Sequence, residues 1–257
     1  MKFFGLFASV FLLPMWSFAD DCNYSKVYDF AVDSGTLERL LLDVGAGSLV
    51  VTGDVSSDEI RVVATACANS NNRLDSLELN HRVAGSELIV DTRKNRNRSF
   101  FWWLNFGNSY AYIDIEVRMP SDLQLEVEDG SGGVDISGVS TLRLQDGSGA
   151  IRIENIAGDV AVDDGSGSIA ITSVTGRVSI RDGSGPISIR DSYDVVIDDD
   201  GSGDIQIENI QSNVTVLDDG SGSIRILDVG GNVEIFDAGS GSVNVRGVAG
   251  TYNNHDD

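Results

Sequence analysis

From Val127 to Val248 the apolar residues fall in alternating pairs, two pairs to a unit, and the unit returns about every 18 residues. Residues 150–163, AIRIENIAGDVAVD, are the clearest copy. Strict period-2 alternation over so few residues predicts short strands with one buried face, and the unit has no room for a helix. The pattern predicts an all-β fold: a parallel β-solenoid with two short strands per coil of about 18 residues, each strand pairing with its counterpart in the next coil.

The inward columns can be read directly from the repeat. One arm carries Ile151, Ile169, Ile187, Ile205, Ile224 and Val243, with Ile153, Ile171, Ile189, Ile207, Ile226 and Val245 two residues on. The opposite arm carries Val160, Val178, Val195, Val214 and Val233, then Val162, Ile180, Ile197, Val216 and Ile235. A fifth column of Ile156, Val174, Ile210, Val229 and Val248 fills the bend. Such β-branched stacks suit a narrow, dry core. Seven coils at about 4.8 Å would make a rod roughly 34 Å long.

The two corners differ. One is a tight turn such as Gly158-Asp159, Gly176-Arg177 or Gly231-Asn232. The other is Asp-Gly-Ser-Gly, starting at Asp129, Asp146, Asp164, Asp182, Asp200 and Asp219, with a near-copy at Asp237-Ala238-Gly239-Ser240-Gly241. Counting two residues outward from the last inward aliphatic gives an acidic column of Asp129, Asp146, Asp164, Asp182, Asp199, Asp218 and Asp237, with an echo at Asp43. Asp200, Asp219 and Ala238 then become one-residue insertions before the turn. An acid in every coil points first to the coil itself, with the carboxylate accepting backbone N–H groups of the turn. The second reading is a ladder of oxygens for Ca²⁺ or another hard cation. The Gly-Gly-x-Gly-x-Asp nonapeptide of calcium-binding β-rolls is absent.

The N-terminal half, from about residue 27 to 128, is β-rich but irregular. Strand candidates are 60–67, 77–80, 87–91 and 111–118, and the solenoid rhythm starts near residue 40, where Leu41 to Val51 parallels Ile235 to Val245. The organisation expected is a leader over 1–19, irregular coils over 20–128, the regular solenoid over 129–252 and a polar tail over 253–257, the mature part forming one continuous domain. One segment breaks the acidic, aliphatic pattern. Residues 93–107 combine Arg96, Arg98 and two further basic residues with Phe100, Phe101, Trp102, Trp103 and Phe106. They read either as an aromatic plug over an open end of the stack or as an amphipathic loop meeting a membrane surface or envelope partner.

Residues 1–19 have the form of a secretory signal peptide: basic Lys2, an apolar run from Phe3 to Phe18, and a small-x-small site ending at Ala19. No later stretch approaches a membrane-spanning length. An exported mature chain with two cysteines, Cys22 and Cys67, is read as carrying one disulfide staple, the alternative being two buried thiols. The formal charge of −22 disfavours nucleic acid and anionic lipid as partners and favours cations. With 41% hydrophobic residues in strict pattern, that charge does not imply disorder.

A leader, the Gly45-Ala-Gly-Ser-Leu-Val-Val-Thr-Gly53 segment, the strand ending Ile113-Asp-Ile-Glu-Val-Arg-Met-Pro120 and the Gly-Ser-Gly-x-Ile-x-Ile coils together resemble a family. The chain is similar over about 40–250 to the bacterial DUF4097 family of β-strand-repeat proteins, labelled putative adhesins, and in style to head-domain autotransporter adhesins. The resemblance implies a non-enzymatic binding or structural scaffold of the periplasm or cell envelope and supplies no catalytic residues. The partner expected is an envelope protein, a polysaccharide or a membrane surface. The competing readings are a Ca²⁺-dependent scaffold and a carbohydrate-active β-helix enzyme. The enzyme would need polar residues converging from neighbouring coils, whereas His81 and His255 stand isolated in sequence and the outward positions do not cluster.

Overall fold

The computed structural model describes residues 22–92 and 110–256. The leader and the basic-aromatic residues Arg96, Arg98, Phe100, Phe101, Trp102, Trp103 and Phe106 lie outside the described residues.

The chain folds as a parallel β-solenoid of about seven turns. It opens with β1 (Tyr24–Asp33), β2 (Arg39–Asp43), β3 (Leu49–Asp54) and β4 (Glu59–Ala68), then a single helical turn, α1 (Asn71–Leu74). There follow β5 (Asn80–Ala84), β6 (Glu87–Asp91), β7 (Ala111–Pro120), β8 (Gln124–Asp129), β9 (Val134–Ser137) and β10 (Thr141–Asp146). The regular coils use β11 (Gly149–Ile156), β12 (Val160–Asp164), β13 (Gly167–Asp182), β14 (Ile187–Asp200), β15 (Ile205–Ile210) and β16 (Val214–Val216). Then come β17 (Ile224–Val229), β18 (Val233–Ile235), β19 (Val243–Val248) and β20 (Tyr252–Asn254).

The columns read from the repeat are the observed registers. Ile151 pairs with Ile169, Ile169 with Ile187, Ile187 with Ile205, Ile205 with Ile224 and Ile224 with Val243. On the other arm Val160, Val178, Val195, Val214 and Val233 follow one another in the same way. All these side chains are buried except Val243 at the last coil. Ser192 fills the gap left between Val174 and Ile210 in the bend column, and its hydroxyl donates to the Arg190 carbonyl at 3.2 Å. That internal bond satisfies the one polar side chain placed there.

Coils do not stack in chain order at the N-terminal end. The coil of β2 and β3 is sandwiched between that of β6 and β7 on one side and that of β8 and β9 on the other. The sequence reading placed each coil against its neighbour in the chain, which holds from β8 onward. In the first part the chain leaves the stack through β4, α1 and β5 before returning. Those excursions close the N-terminal end: β4 pairs antiparallel with β7, β1 antiparallel with β4, and β5 antiparallel with β6. The expected strand at 77–80 begins only at Asn80, since Leu77 and Leu79 are buried just beyond the helical turn. The expected bridge is present: Cys22 and Cys67 form a disulfide that ties the segment entering β1 to the end of β4. Among the described residues no helix is long and apolar enough to cross a membrane.

Candidate functional site

The Gly-Ser-Gly corners stack backbone on backbone. A Cβ built at Gly149, Gly167, Gly185 or Gly222 would fall on the carbonyl of the matching glycine one coil below. The glycine that opens each corner donates its N–H to the carbonyl of the aspartate beneath: Gly147 to Asp129 at 3.1 Å, Gly165 to Asp146 at 3.0 Å, Gly183 to Asp164 at 2.9 Å, Gly201 to Asp182 at 3.0 Å and Gly220 to Asp200 at 2.8 Å.

This stacking corrects the acidic column. Asp200 and Asp219, each directly before its glycine, are fully buried, whereas Asp199 and Asp218 are exposed. Asp237 is also exposed, and Ala238 takes the inward place. The extra residue is absorbed within the strand: Ile180 pairs with Ile197 but Arg181 pairs with Asp199, so Asp198 forms the bulge. The Asp-Gly-Ser-Gly unit keeps its register because its corner hydrogen bonds and glycine contacts leave no room for an inserted residue, while a strand tolerates a bulge. The column is therefore Asp129, Asp146, Asp164, Asp182, Asp200 and Asp219.

Apolar side chains seal both ends. Asp43 pairs with Glu128, and a Cβ on Gly130 would meet the Gly45 carbonyl as one on Gly147 meets that of Gly130, which sets Val44 in the column next to Asp129. Val44, not Asp43, is thus the equivalent residue, and it is buried. At the far end Asp219 donates its N–H to the Asp237 carbonyl at 3.1 Å, and buried Ala238 closes the stack.

The aspartates cap their own turns in part. One carboxylate oxygen each of Asp146, Asp164 and Asp182 accepts the N–H of Ser148, Ser166 and Ser184 at 3.2–3.3 Å. Their other oxygens, one oxygen of Asp129, and both of Asp200 and of Asp219, are buried without a donor. Burial pushes Asp129 up to about 7, helped by the neighbouring Asp146 carboxyl group, against the Gly130 N–H. Burial and the Asp146 and Asp182 charges bring Asp164 to about 6. Burial, then Asp219 and Asp182, bring Asp200 to about 7; burial, with the Asp218 and Asp237 charges, brings Asp219 to about 6; and burial raises Asp182.

A second polar ladder runs along the opposite corner. The side chain of Asp159 accepts the N–H of Arg177 at 2.8 Å, Asp194 that of Asn213 at 3.3 Å, Asn213 that of Asn232 at 2.9 Å, and Asn232 that of Thr251 at 2.9 Å. Just before the bend, Asn155, Ser173, Asp191, Asn209 and Asp228 all take left-handed backbone with φ of 53–62°. The sequence reading missed this column. Its signal was the recurrence of Asn, Asp or Ser at that place, residue types that bond their own backbone and tolerate positive φ.

Outside the corners, the face formed by β8, β10, β12 and β13 carries a shallow groove of about 600 Å³ bordered by Arg39, Glu126, Arg143, Asp159 and Arg177. Arg39 is paired with Glu87 and Glu126 at 3.2 and 3.3 Å, and Arg177 with Asp194 at 2.8 Å. Small residues Ala161 and Ser179 line the same groove. The Ser179 hydroxyl donates to the Asp198 carboxylate at 2.8 Å, and such a face can hold an extended polar ligand. Among the described residues no three His, Cys, Asp or Glu side chains converge as a metal site; the column brings carboxylates together one above another.

The fold has solved counterparts. One is a "Putative lipid binding protein" from Parabacteroides distasonis ATCC 8503, with a TM-score of 0.52 at 15% identity over 91% of this chain and 98% of that one. Looser likenesses are a "putative cell adhesion protein" from Clostridium sporogenes ATCC 15579 (TM-score 0.35, 11% identity, 90% and 100% covered) and a "putative adhesin" from Bacteroides fragilis NCTC 9343 (TM-score 0.36, 11% identity, 89% and 97% covered). No family model and no curated protein matches the sequence. At these identities the likeness concerns fold alone.

The described residues also fix where the basic-aromatic segment is attached. Thr92 donates to the Asp43 carbonyl at 3.0 Å and Ile113 to the Ala46 carbonyl at 2.9 Å. β6 ends at Asp91 and β7 begins at Ala111, so the sequence joining them is longer than the Gly-Ser-Gly corners of the later coils.

Proposed function

We propose that the protein is an exported, non-enzymatic scaffold of the cell envelope, adhesin-like in architecture, that binds a partner at its N-terminal end. What supports this reading is the sequence that joins β6 to β7. The regular coils use a four- or five-residue corner made of stacking backbone, whereas the sequence between Asp91 and Ala111 is longer and rich in arginine and aromatic residues. Its composition, against a chain of net charge −22, suits an interface with anionic or apolar groups. The Cys22–Cys67 disulfide fits an oxidising compartment, as the leader-like first residues do. A fold counterpart named for lipid binding supports keeping the membrane surface beside envelope proteins and polysaccharides among the targets.

Co-sedimentation with anionic lipid vesicles, and separately with purified envelope polysaccharide, tests the reading. The intact chain is compared with one in which residues 93–107 are replaced by a Gly-Ser corner. Binding that falls at least tenfold on replacement supports the segment as the binding element; equal recovery of both proteins rejects it.

A further inference from the structure

We propose that the Asp129–Asp219 column is a shared-proton ladder: its carboxyl groups bind hydrogen ions between successive coils, and this binding couples the stability of the solenoid to pH.

The argument begins with the sealed geometry. Six carboxyl groups stand one per coil between Val44 and Ala238, with exposure falling from 9% at Asp129 to 0% at Asp200 and Asp219. Strands in adjacent coils are about 4.8 Å apart, so neighbouring carboxyl groups lie within reach of each other. Asp129 Oδ2 and Asp146 Oδ2 are both buried without a donor, and two anionic carboxylates cannot supply one to each other. Every member of the column has at least one buried oxygen without a protein donor, and Asp200 and Asp219 have two.

No cation within the described protein compensates the charge. The groups acting on the column are other acids: Asp146 on Asp129; Asp146 and Asp182 on Asp164; Asp219, Asp182 and Asp199 on Asp200; Asp218, Asp237 and Asp204 on Asp219. The opposing influences are backbone N–H groups of Gly130, Gly165, Gly183, Ser166 and Ser184, while those of Ser202 and Ser221 lie near Asp200 and Asp219 without bonding their carboxyl oxygens. Full ionisation would place a row of buried anions at closest spacing, which low polarity makes strongly unfavourable. A hard cation could relieve the charge, but it needs six or more oxygens. Stacked pairs supply few, and the Asp129, Asp146, Asp164, Asp182 and Asp200 carbonyls already accept corner N–H groups. A proton needs one donor oxygen and one acceptor oxygen, which is what two stacked carboxyl groups present.

The sign of the coupling follows from the direction of the shifts. Folded Asp129, Asp164, Asp182, Asp200 and Asp219 hold protons more tightly than the unfolded chain does. Their contribution is therefore fully present below about pH 4 and is lost as the pH rises through the folded values of about 6 to about 7. Ordinary surface carboxylates finish titrating below this window.

The test uses the protein, its Asp200→Asn/Asp219→Asn variant and the control Asp58→Asn/Glu59→Gln, which removes the same charge from exposed positions that do not act on the column. Melting temperature is measured from pH 4.5 to 8.5 after exhaustive chelation. The parent protein is expected to lose stability between pH 5.5 and 8. The buried pair of substitutions should raise Tm at pH 8 by at least about 3 °C and flatten that slope, because Asn keeps the shape and supplies a donor without charge. The exposed pair should leave the slope in place. Equal effects of the two variants, or a lower Tm for the buried variant at pH 8, would overturn the ladder. So would a parent protein whose stability at pH 8 depends on added Ca²⁺ or Na⁺, which assigns the column to cations. Infrared spectroscopy of the parent protein at pH 6 is a second readout independent of variant folding: a protonated-carboxyl C=O band is expected, and its absence rejects the proposal.

Discussion

Gly167 lies directly over Gly149, close enough that a Cβ on Gly167 would fall on the Gly149 carbonyl oxygen, and its φ is 148°. The same relation links Gly185 to Gly167 and Gly222 to Gly203. The corner is thus a backbone column in which one coil's peptide groups form the surface on which the next is laid.

Gly167→Ala should therefore destabilise the protein by about 3 kcal/mol or more, since it combines a backbone clash with a φ that L residues rarely adopt. Urea unfolding followed by circular dichroism gives the value. A loss below about 1 kcal/mol would show that coils can separate at the corner at little cost.

Ser173 occupies the left-handed column with φ of 62°, where its neighbours are Asn155 and Asp191. A left-handed conformation costs an L residue roughly 1–2 kcal/mol, and Gly avoids most of it. Ser173→Gly should leave the fold intact and raise stability by up to about 1 kcal/mol, read from the urea midpoint at unchanged slope.

The Cys22–Cys67 bridge spans 45 residues and holds the entry to β1 against the end of β4. Chain-entropy reasoning gives up to about 4 kcal/mol for a loop of this length. A Cys22→Ser/Cys67→Ser variant should melt at lower temperature, and a reducing agent should lower the melting temperature of the parent but not of the variant.

Ala238 ends the buried column at 3% exposure. Ala238→Asp would add a seventh carboxyl group next to Asp219. The new group's folded pKa should stand above its unfolded value, so the variant should be least stable relative to the parent above pH 7 and recover towards pH 5. Melting curves of the two proteins at pH 5 and pH 8 check this.

Much of this was legible along the chain. Ile151, Ile169, Ile187 and Ile205 stack as their spacing predicts because a strand's period of two and a coil's period of 18 are both local and regular. The Asp-cap reading also holds at Asp146, Asp164 and Asp182, whose bonds run only two residues ahead. Counting outward from Ile197 and Val216 failed at Asp199 and Asp218, because that count takes the strand as regular and cannot place a bulge.

The sequence by itself determined the solenoid, its two arms, its aliphatic columns and the single possible intramolecular disulfide, since each depends on alternation, period or cysteine number. Only the tertiary structure decided which acid enters the corner, that Val44 and Ala238 seal the column, and that the coil of β2 and β3 lies inside that of β6 and β7. These outcomes rest on contacts between coils, where carbonyls and glycines of one turn dictate the register of the next. A one-residue insertion is silent in local pattern, yet it exchanges a buried carboxyl group for an exposed one.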